Sequence, residues 1–140
     1  MAGYSGTPLV KKLGIKSGFK VAFVNAPADF VAGLKLPEDT SICSGRSHGL
    51  LDFALLFVRS KHALAKKFSV MAARLQPDGM LWVSWPKKAS GVKTDLTENV
   101  VRELGLSAGL VDVKVCAVDE VWSGLKFVFR LRDRARLRAR

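Results

Sequence analysis

Two ammonium groups, a hydroxyl and a glycine follow one another in Lys87-Lys88-Ala89-Ser90-Gly91, and this is the densest set of anion-seeking groups in the body of the chain. The loop leads into Asp95-Leu96-Thr97-Glu98, whose spacing is that of a capping box and predicts a helix running to about Leu104, with Gly105 as its stop. Unpaired amides at a helix start favour negative charge. Lys87, Lys88, Ser90, Gly91 and Thr94 therefore form the first candidate site, for a phosphate or carboxylate on a small molecule. The competing reading is that Asp95 satisfies those amides itself and leaves a solvated basic loop.

Three further residues follow predicted strands. Asn25 comes after Val21-Ala22-Phe23-Val24, and Arg59 and Ser60 come after Phe53-Ala54-Leu55-Leu56-Phe57-Val58. Trp122 lies in Asp119-Glu120-Val121-Trp122-Ser123-Gly124, read as the turn between the last two strands, where it either covers a pocket or folds back onto the sheet. Ligands of open α/β sheets sit beyond the carboxyl ends of the strands, so Asn25, Arg59 and Trp122 join the candidate list.

No nucleophilic constellation stands out. Ser84 and Ser90 lack a G-x-S-x-G context, and the chain has neither G-x-x-x-x-G-K-[ST] nor G-x-G-x-x-G. Asp52, at the entry to an apolar strand, reads as a solvated carboxylate. Cys43, Cys116, His48 and His62 match no zinc spacing, so no metal is expected and the cysteines read as buried thiols.

The elements that must position these groups follow from hydrophobic period and punctuation. Pro8 to Leu13 reads as a short helix, with Thr7 as N-cap and Gly14 as the left-handed stop. The nearly all-apolar runs at 21–24 and 53–58 suit strands covered on both faces, as in a parallel sheet. Ala28 to Leu34 reads as a helix, Thr40 to Cys43 as a brief strand and Ser44 to Ser47 as a polar loop. Ser60 caps the longest helix, from His62 to about Leu75, with Leu64, Phe68, Met71, Ala72 and Leu75 on one face. Pro77-Asp78-Gly79 is a turn, Met80 to Trp85 a strand with Trp82 and Trp85 on opposite faces, and Val111–Val118 with Leu125–Leu131 a terminal antiparallel hairpin.

Composition sets the bounds. With 140 residues, 49% hydrophobic and 25% charged, the chain matches an ordinary globular domain and excludes wholesale disorder. No apolar run approaches the roughly 20 residues of a membrane span. The first residues lack a secretory pattern, so a cytoplasmic location and no membrane partner are expected. The net charge of +11 is uneven: from Arg130 onward there are six arginines and one aspartate. Residues 1–129 are read as one α/β domain and 130–140 as a possibly disordered tail. An extended tail would present its arginines on one face to nucleic acid or an acidic protein, whereas a helix would spread them around its axis.

The element order is similar to a shortened methyltransferase-type Rossmann fold, and Leu75-Gln76-Pro77-Asp78-Gly79-Met80-Leu81 resembles the step before the fifth strand of those enzymes. Gly6 to Lys16, Trp85 to Val92 with Thr94 to Glu98, and Gly109 to Val128 resemble an uncharacterised family of small bacterial proteins. That resemblance implies a single Rossmann-like α/β domain, a three-layer sandwich whose mostly parallel sheet ends in an antiparallel hairpin, and implies no activity. Methyltransferases of this type carry a Gly-rich turn after the first strand and an acidic residue after the second. Here Asn25-Ala26-Pro27-Ala28-Asp29-Phe30 has no glycine, Pro27 removes a donor, and the acidic position has no clear equivalent. S-adenosylmethionine is thus disfavoured, the cofactor is left unknown, and the expected function is a non-catalytic ligand-binding or regulatory domain. The alternatives are a methyltransferase with an atypical cofactor site and an interaction module that uses the basic tail.

Overall fold

Side chains alternate between two separate cores along every central strand, and this alternation determines the architecture. In the computed structural model, which describes residues 8–43 and 49–139, Val21 and Phe23 of strand β1 (Lys20–Val24) face one core while Ala22 and Val24 face the other. Strand β3 (Leu51–Phe57) repeats the pattern from Phe53 onward, with Phe53, Leu55 and Phe57 on the first side and Ala54 and Leu56 on the second, while Leu51 joins the second core across a register shift. A strand apolar on both faces requires cover on both, which is why these runs lie inside a sheet.

The sheet has six strands in the order β2-β1-β3-β4-β6-β5, where β2 is Ser41–Ile42, β4 Leu75–Pro86, β5 Leu110–Ala117 and β6 Trp122–Phe129. The pairs β1–β2, β1–β3 and β3–β4 are parallel, and β6 pairs antiparallel with both β4 and β5. Helices α2 (Lys61–Ala72) and α3 (Glu98–Ser107) cover one face, joined there by Leu137 of α4 (Leu131–Arg138). Helix α1 (Leu9–Leu13) and the turns of residues 26–36 cover the other, and the buried Trp82 indole donates to Leu13 O at 2.9 Å. This is the predicted three-layer α/β fold, with Trp82 and Trp85 in opposite cores as their spacing required.

Several local expectations are corrected. Residues 28–33 form turns rather than a helix, because Asp29, two residues after Pro27, adopts a left-handed φ of 69°. Pro77-Asp78-Gly79 does not end an element: Leu75 pairs with Leu51 and Met80 with Phe53, so the segment is a bulge within β4. The N-cap of α3 is Thr97, whose Oγ1 accepts from Val100 N at 3.2 Å, two residues beyond the predicted cap at Asp95. Gly105 does not stop that helix. A Cβ there would lie 2.0 Å from the Phe127 ring, so the glycine lets α3 sit directly on β6. Pro8 is the N-cap of α1, and Thr7, the Ser44–Ser47 loop, His48 and Arg140 lie outside the described residues.

The C-terminal arginines are not in an extended ladder, since residues 131–138 are helical. Register places this helix away from the strand ends that carry the candidate residues. Trp122 pairs with Pro86 at the carboxyl end of β4 while Phe127 pairs with Leu81, so β6 delivers α4 to the amino ends of the parallel strands. Among the described residues no helix is long and apolar enough to cross a membrane, and no group of three or more His, Cys, Asp or Glu could hold a metal. Cys43 and Cys116 are free and half-buried, and burial raises the Cys116 thiol pKa against the lowering effect of Lys114 and Lys12.

Gly105→Ala tests the contact between α3 and β6. The added methyl group must displace the Phe127 ring, and overpacking of this kind costs about 1–3 kcal/mol. Urea unfolding should show that loss despite alanine's better helix propensity; an unchanged or raised midpoint would mean that the ring yields freely.

Candidate functional site

The parallel strands end in a cleft whose floor is aromatic. After β1 the chain turns at Asn25, which holds φ at 57°. Asparagine is one of the few non-glycine residues that tolerates this left-handed conformation. The turn sends Phe30 back across the sheet, where its ring meets Phe57 at 5.0 Å and 72°. Phe57, the last residue of β3, in turn meets Trp122 edge-on at 5.1 Å and 86°. Trp122 is the first residue of β6, 6% exposed, and not part of the hairpin turn as predicted. Asp119 sets its position: Oδ1 accepts from both Val121 N and Trp122 N at 2.8 Å, closing the hairpin tightly enough to start β6 at the tryptophan.

Beyond Phe57 the chain passes through Val58, Arg59 and Ser60 into α2. Val58 N donates to Ser84 O at 3.0 Å, and Ser60 Oγ caps the helix by accepting from Ala63 N at 3.1 Å, as predicted. The Arg59 guanidinium carbon lies 5.9 Å from the Trp122 ring centroid, within cation–π range.

The loop after β4 forms the opposite bank. Lys87 N donates to Val121 O at 2.7 Å, and residues 88–90 make a single 3₁₀ turn. Ser90 Oγ donates to Lys87 O at 2.6 Å and accepts from Val92 N at 3.2 Å, while Gly91 takes a φ of 77°. Two bonds then brace the loop to the β3–α2 junction. Thr94 Oγ1 donates to Arg59 O at 2.7 Å and accepts from Leu96 N at 3.1 Å, and Asp95 Oδ1 accepts from Lys61 N at 2.8 Å. The amides of Ser90, Gly91 and Val92 all donate within the loop, so its attraction for anions comes from side-chain charge.

Two cavities share Arg59, Ser60 and Val92 as a common wall. The smaller, about 550 Å³, lies between the carboxyl ends of β1 and β3 and brings Asn25, Arg59 and Trp122 together beside Phe57. The larger, about 1040 Å³, gathers Lys87, Lys88, Gly91 and Thr94 with Arg59. Ser90 lines neither, because its hydroxyl is used within its own turn. Lys93, which is not among the candidates from the sequence, also belongs to the larger cavity, as does Asp95, which the sequence offers only as a helix cap. The charge density of residues 87–93 was a usable signal for Lys93, whereas the bond from Lys61 to Asp95 spans 34 positions and leaves no local pattern. Glu98, at the same rim, is tied to Arg102 at 2.7 Å, and that guanidinium also donates to Asp112 at 2.8 Å. Hydrogen bonds to Asp112 and then Glu98 raise the Arg102 pKa.

Similar solved structures put this cleft in context. The chain is similar to a magnesium protoporphyrin IX methyltransferase from Synechocystis PCC 6803 with bound S-adenosylhomocysteine, at 11% identity, 87% coverage of this chain and 78% of that one, with a TM-score of 0.56. A ribosomal protein L11 methylase from Lactobacillus delbrueckii subsp. bulgaricus gives 12% identity, 87% and 75% coverage and a TM-score of 0.58. A 1,6-didemethyltoxoflavin-N1-methyltransferase from Burkholderia thailandensis, also with bound S-adenosylhomocysteine, gives 17% identity, 85% and 73% coverage and a TM-score of 0.51. No protein-family model and no curated protein matches the chain.

These similarities support a methyltransferase-like Rossmann fold and correct two expectations. The sequence leads to the expectation of a non-catalytic binding domain, whereas these three similar structures are all methyltransferases. S-adenosylmethionine was disfavoured, yet two of these structures hold its demethylated product. After β1 the chain turns away from the sheet without a glycine, because Asn25 itself holds the left-handed conformation.

Substitutions at Asn25 test whether this turn needs a left-handed residue. Asn25→Gly should leave stability within about 0.5 kcal/mol of the parent, whereas Asn25→Val, β-branched in a left-handed conformation, should cost about 1–3 kcal/mol in denaturant unfolding. A valine variant as stable as the glycine variant would show that no left-handed residue is required at this turn.

Proposed function

We propose that this chain is an S-adenosylmethionine-dependent methyltransferase whose cofactor turn is built without glycine. The observation that carries the reading is the position of the smaller cavity. It opens between β1 and β3, where the strand order reverses, which is where open α/β sheets bind their ligands.

The lining suits the cofactor's chemistry. Phe57, Val58 and Trp122 offer apolar and aromatic surface to an adenine ring, and the Arg59 guanidinium suits the carboxylate of the methionine portion. Asn25 adds an amide with both donors and an acceptor at the end of β1. When bound, S-adenosylmethionine would supply an electrophilic methyl group. Arg59 is held for its part by the face of Trp122 and by the brace from Thr94 to its carbonyl. The aromatic floor excludes water from one side. Among the described residues that line the smaller cavity there is neither histidine nor carboxylate, and Asn25, Arg59 and Trp122 contribute orientation and proximity. The acceptor molecule enters from the larger cavity across the shared wall of Arg59 and Ser60.

Titration with S-adenosylhomocysteine, followed by thermal shift and calorimetry, tests this. At 100 times its dissociation constant the ligand should stabilise the fold by about 2.7 kcal/mol. Arg59→Ala should weaken binding by about tenfold or more, the loss of a charge-assisted bond worth about 1.5–3 kcal/mol. The absence of any saturable shift would overturn the reading, and undiminished affinity in Arg59→Ala would remove Arg59 from the site.

A further inference from the structure

We propose that the larger cavity is a binding site for a phosphate-bearing molecule, and that this molecule is the methyl acceptor. The second half of that statement rests on the methyltransferase reading above, while the first stands on the cavity itself.

Lys87, Lys88 and Lys93 on one bank and Arg59 on the other place four cations around one opening, and the three lysines line this cavity alone while Arg59 also faces the smaller one. Among the described residues none of the four forms a salt bridge. The acids at the rim offset them only in part: Asp95 keeps its charge while accepting from Lys61 N at the start of α2, and Glu98 shares Arg102 with Asp112, against four cations. The cavity therefore keeps an excess of unneutralised positive charge. Such an arrangement costs self-repulsion, which a bound polyanion relieves.

Three of the four cations are lysines. Lysine ammoniums act as point charges suited to phosphate oxygens, whereas one planar carboxylate is best met by a single arginine. The loop that carries the lysines is fixed at both ends, by Lys87 N on Val121 O and by Thr94 on Arg59 O, so the charges are presented from a set backbone. The shared wall puts a phosphate-anchored molecule next to the smaller cavity, so that its nucleophilic atom can reach across Arg59 and Ser60.

The test uses the full chain, with S-adenosylhomocysteine present, and two probes: inorganic tripolyphosphate and a fluorescent single-stranded RNA of about 12 nucleotides, a length within the usual site size of single-strand binders. At least one should bind saturably, and the Lys87→Glu/Lys88→Glu variant should weaken it by about tenfold, with a shallower salt dependence. The S-adenosylhomocysteine shift should be unchanged in the same variant. Lys93→Glu provides a second, single-charge variant should the double one lose its fold. Binding of tripolyphosphate alone supports a small phosphorylated acceptor, and binding of the RNA supports a nucleic-acid strand. The proposal is overturned if neither probe binds or if affinity is unchanged in both charge-reversal variants. It is equally overturned if affinity depends instead on Arg132, Arg134 and Arg136 of α4, as their alanine variants would show. Loss of S-adenosylhomocysteine binding with phosphate binding intact would strike the cofactor reading and leave the phosphate site standing.

Discussion

Parallel pairing of β1 with β2 on one side and β3 on the other is the constraint from which the cleft follows. The two chain segments that leave the carboxyl ends of β1 and β3 depart toward opposite faces: residues 26–36 pack into one core and α2 into the other. A gap must open between them, and the smaller cavity occupies it. Burial holds this arrangement in place. Phe53, Ala54, Leu55, Leu56 and Phe57 are at most 2% exposed, and each large apolar side chain so buried contributes about 1.5–3 kcal/mol. Placing the same strand at a sheet edge would forfeit half of that cover.

The cleft's second determinant is polar. Arg59 and Ser60 sit at the junction of β3 and α2, and the distant loop after β4 reaches both sides of that junction through Thr94 and Asp95. Asp119 does comparable work from the β5–β6 turn, fixing Trp122 by two main-chain bonds so that its ring lies between Phe57 and Arg59. The charge pattern then divides the molecule. The cleft lies at the carboxyl ends of the parallel strands, and the arginine-rich α4 at their amino ends. A third concentration surrounds Lys126, whose pKa is lowered by burial and then by Lys114 and Lys16. Net charge alone therefore says little about which surface meets a ligand.

The sequence displayed the layers of this fold plainly because period-two burial and all-apolar strands are local patterns. Runs such as Phe53 to Val58 read directly as central parallel strands, and the paired strands after Gly109 as a hairpin. Candidate residues at strand ends were legible for the same reason, since Asn25, Arg59, Lys87 and Lys88 each follow an apolar run. Legibility ended where long-range contact overrides local preference. Gly105 looks like a helix stop, but it is the space that the Phe127 ring needs. Asp95 looks like a cap for the helix that follows, but it serves the amide of Lys61 in a different helix. The left-handed φ of Asn25 is likewise not announced by the absence of glycine after β1. The turn needs a conformation, and asparagine reaches it as glycine does.

The central claim, a cofactor cleft at the β1–β3 reversal with Trp122 as one wall, is most directly tested by the three indole N–H signals of the ¹⁵N-labelled protein during S-adenosylhomocysteine titration. Trp122 lines the smaller cavity and Trp85 the larger, while the Trp82 indole is buried and donates to Leu13 O. The account predicts a saturable shift of the Trp122 signal with the Trp82 signal unmoved. Saturable binding that leaves Trp122 unshifted, or a titration in which no signal moves, would contradict it.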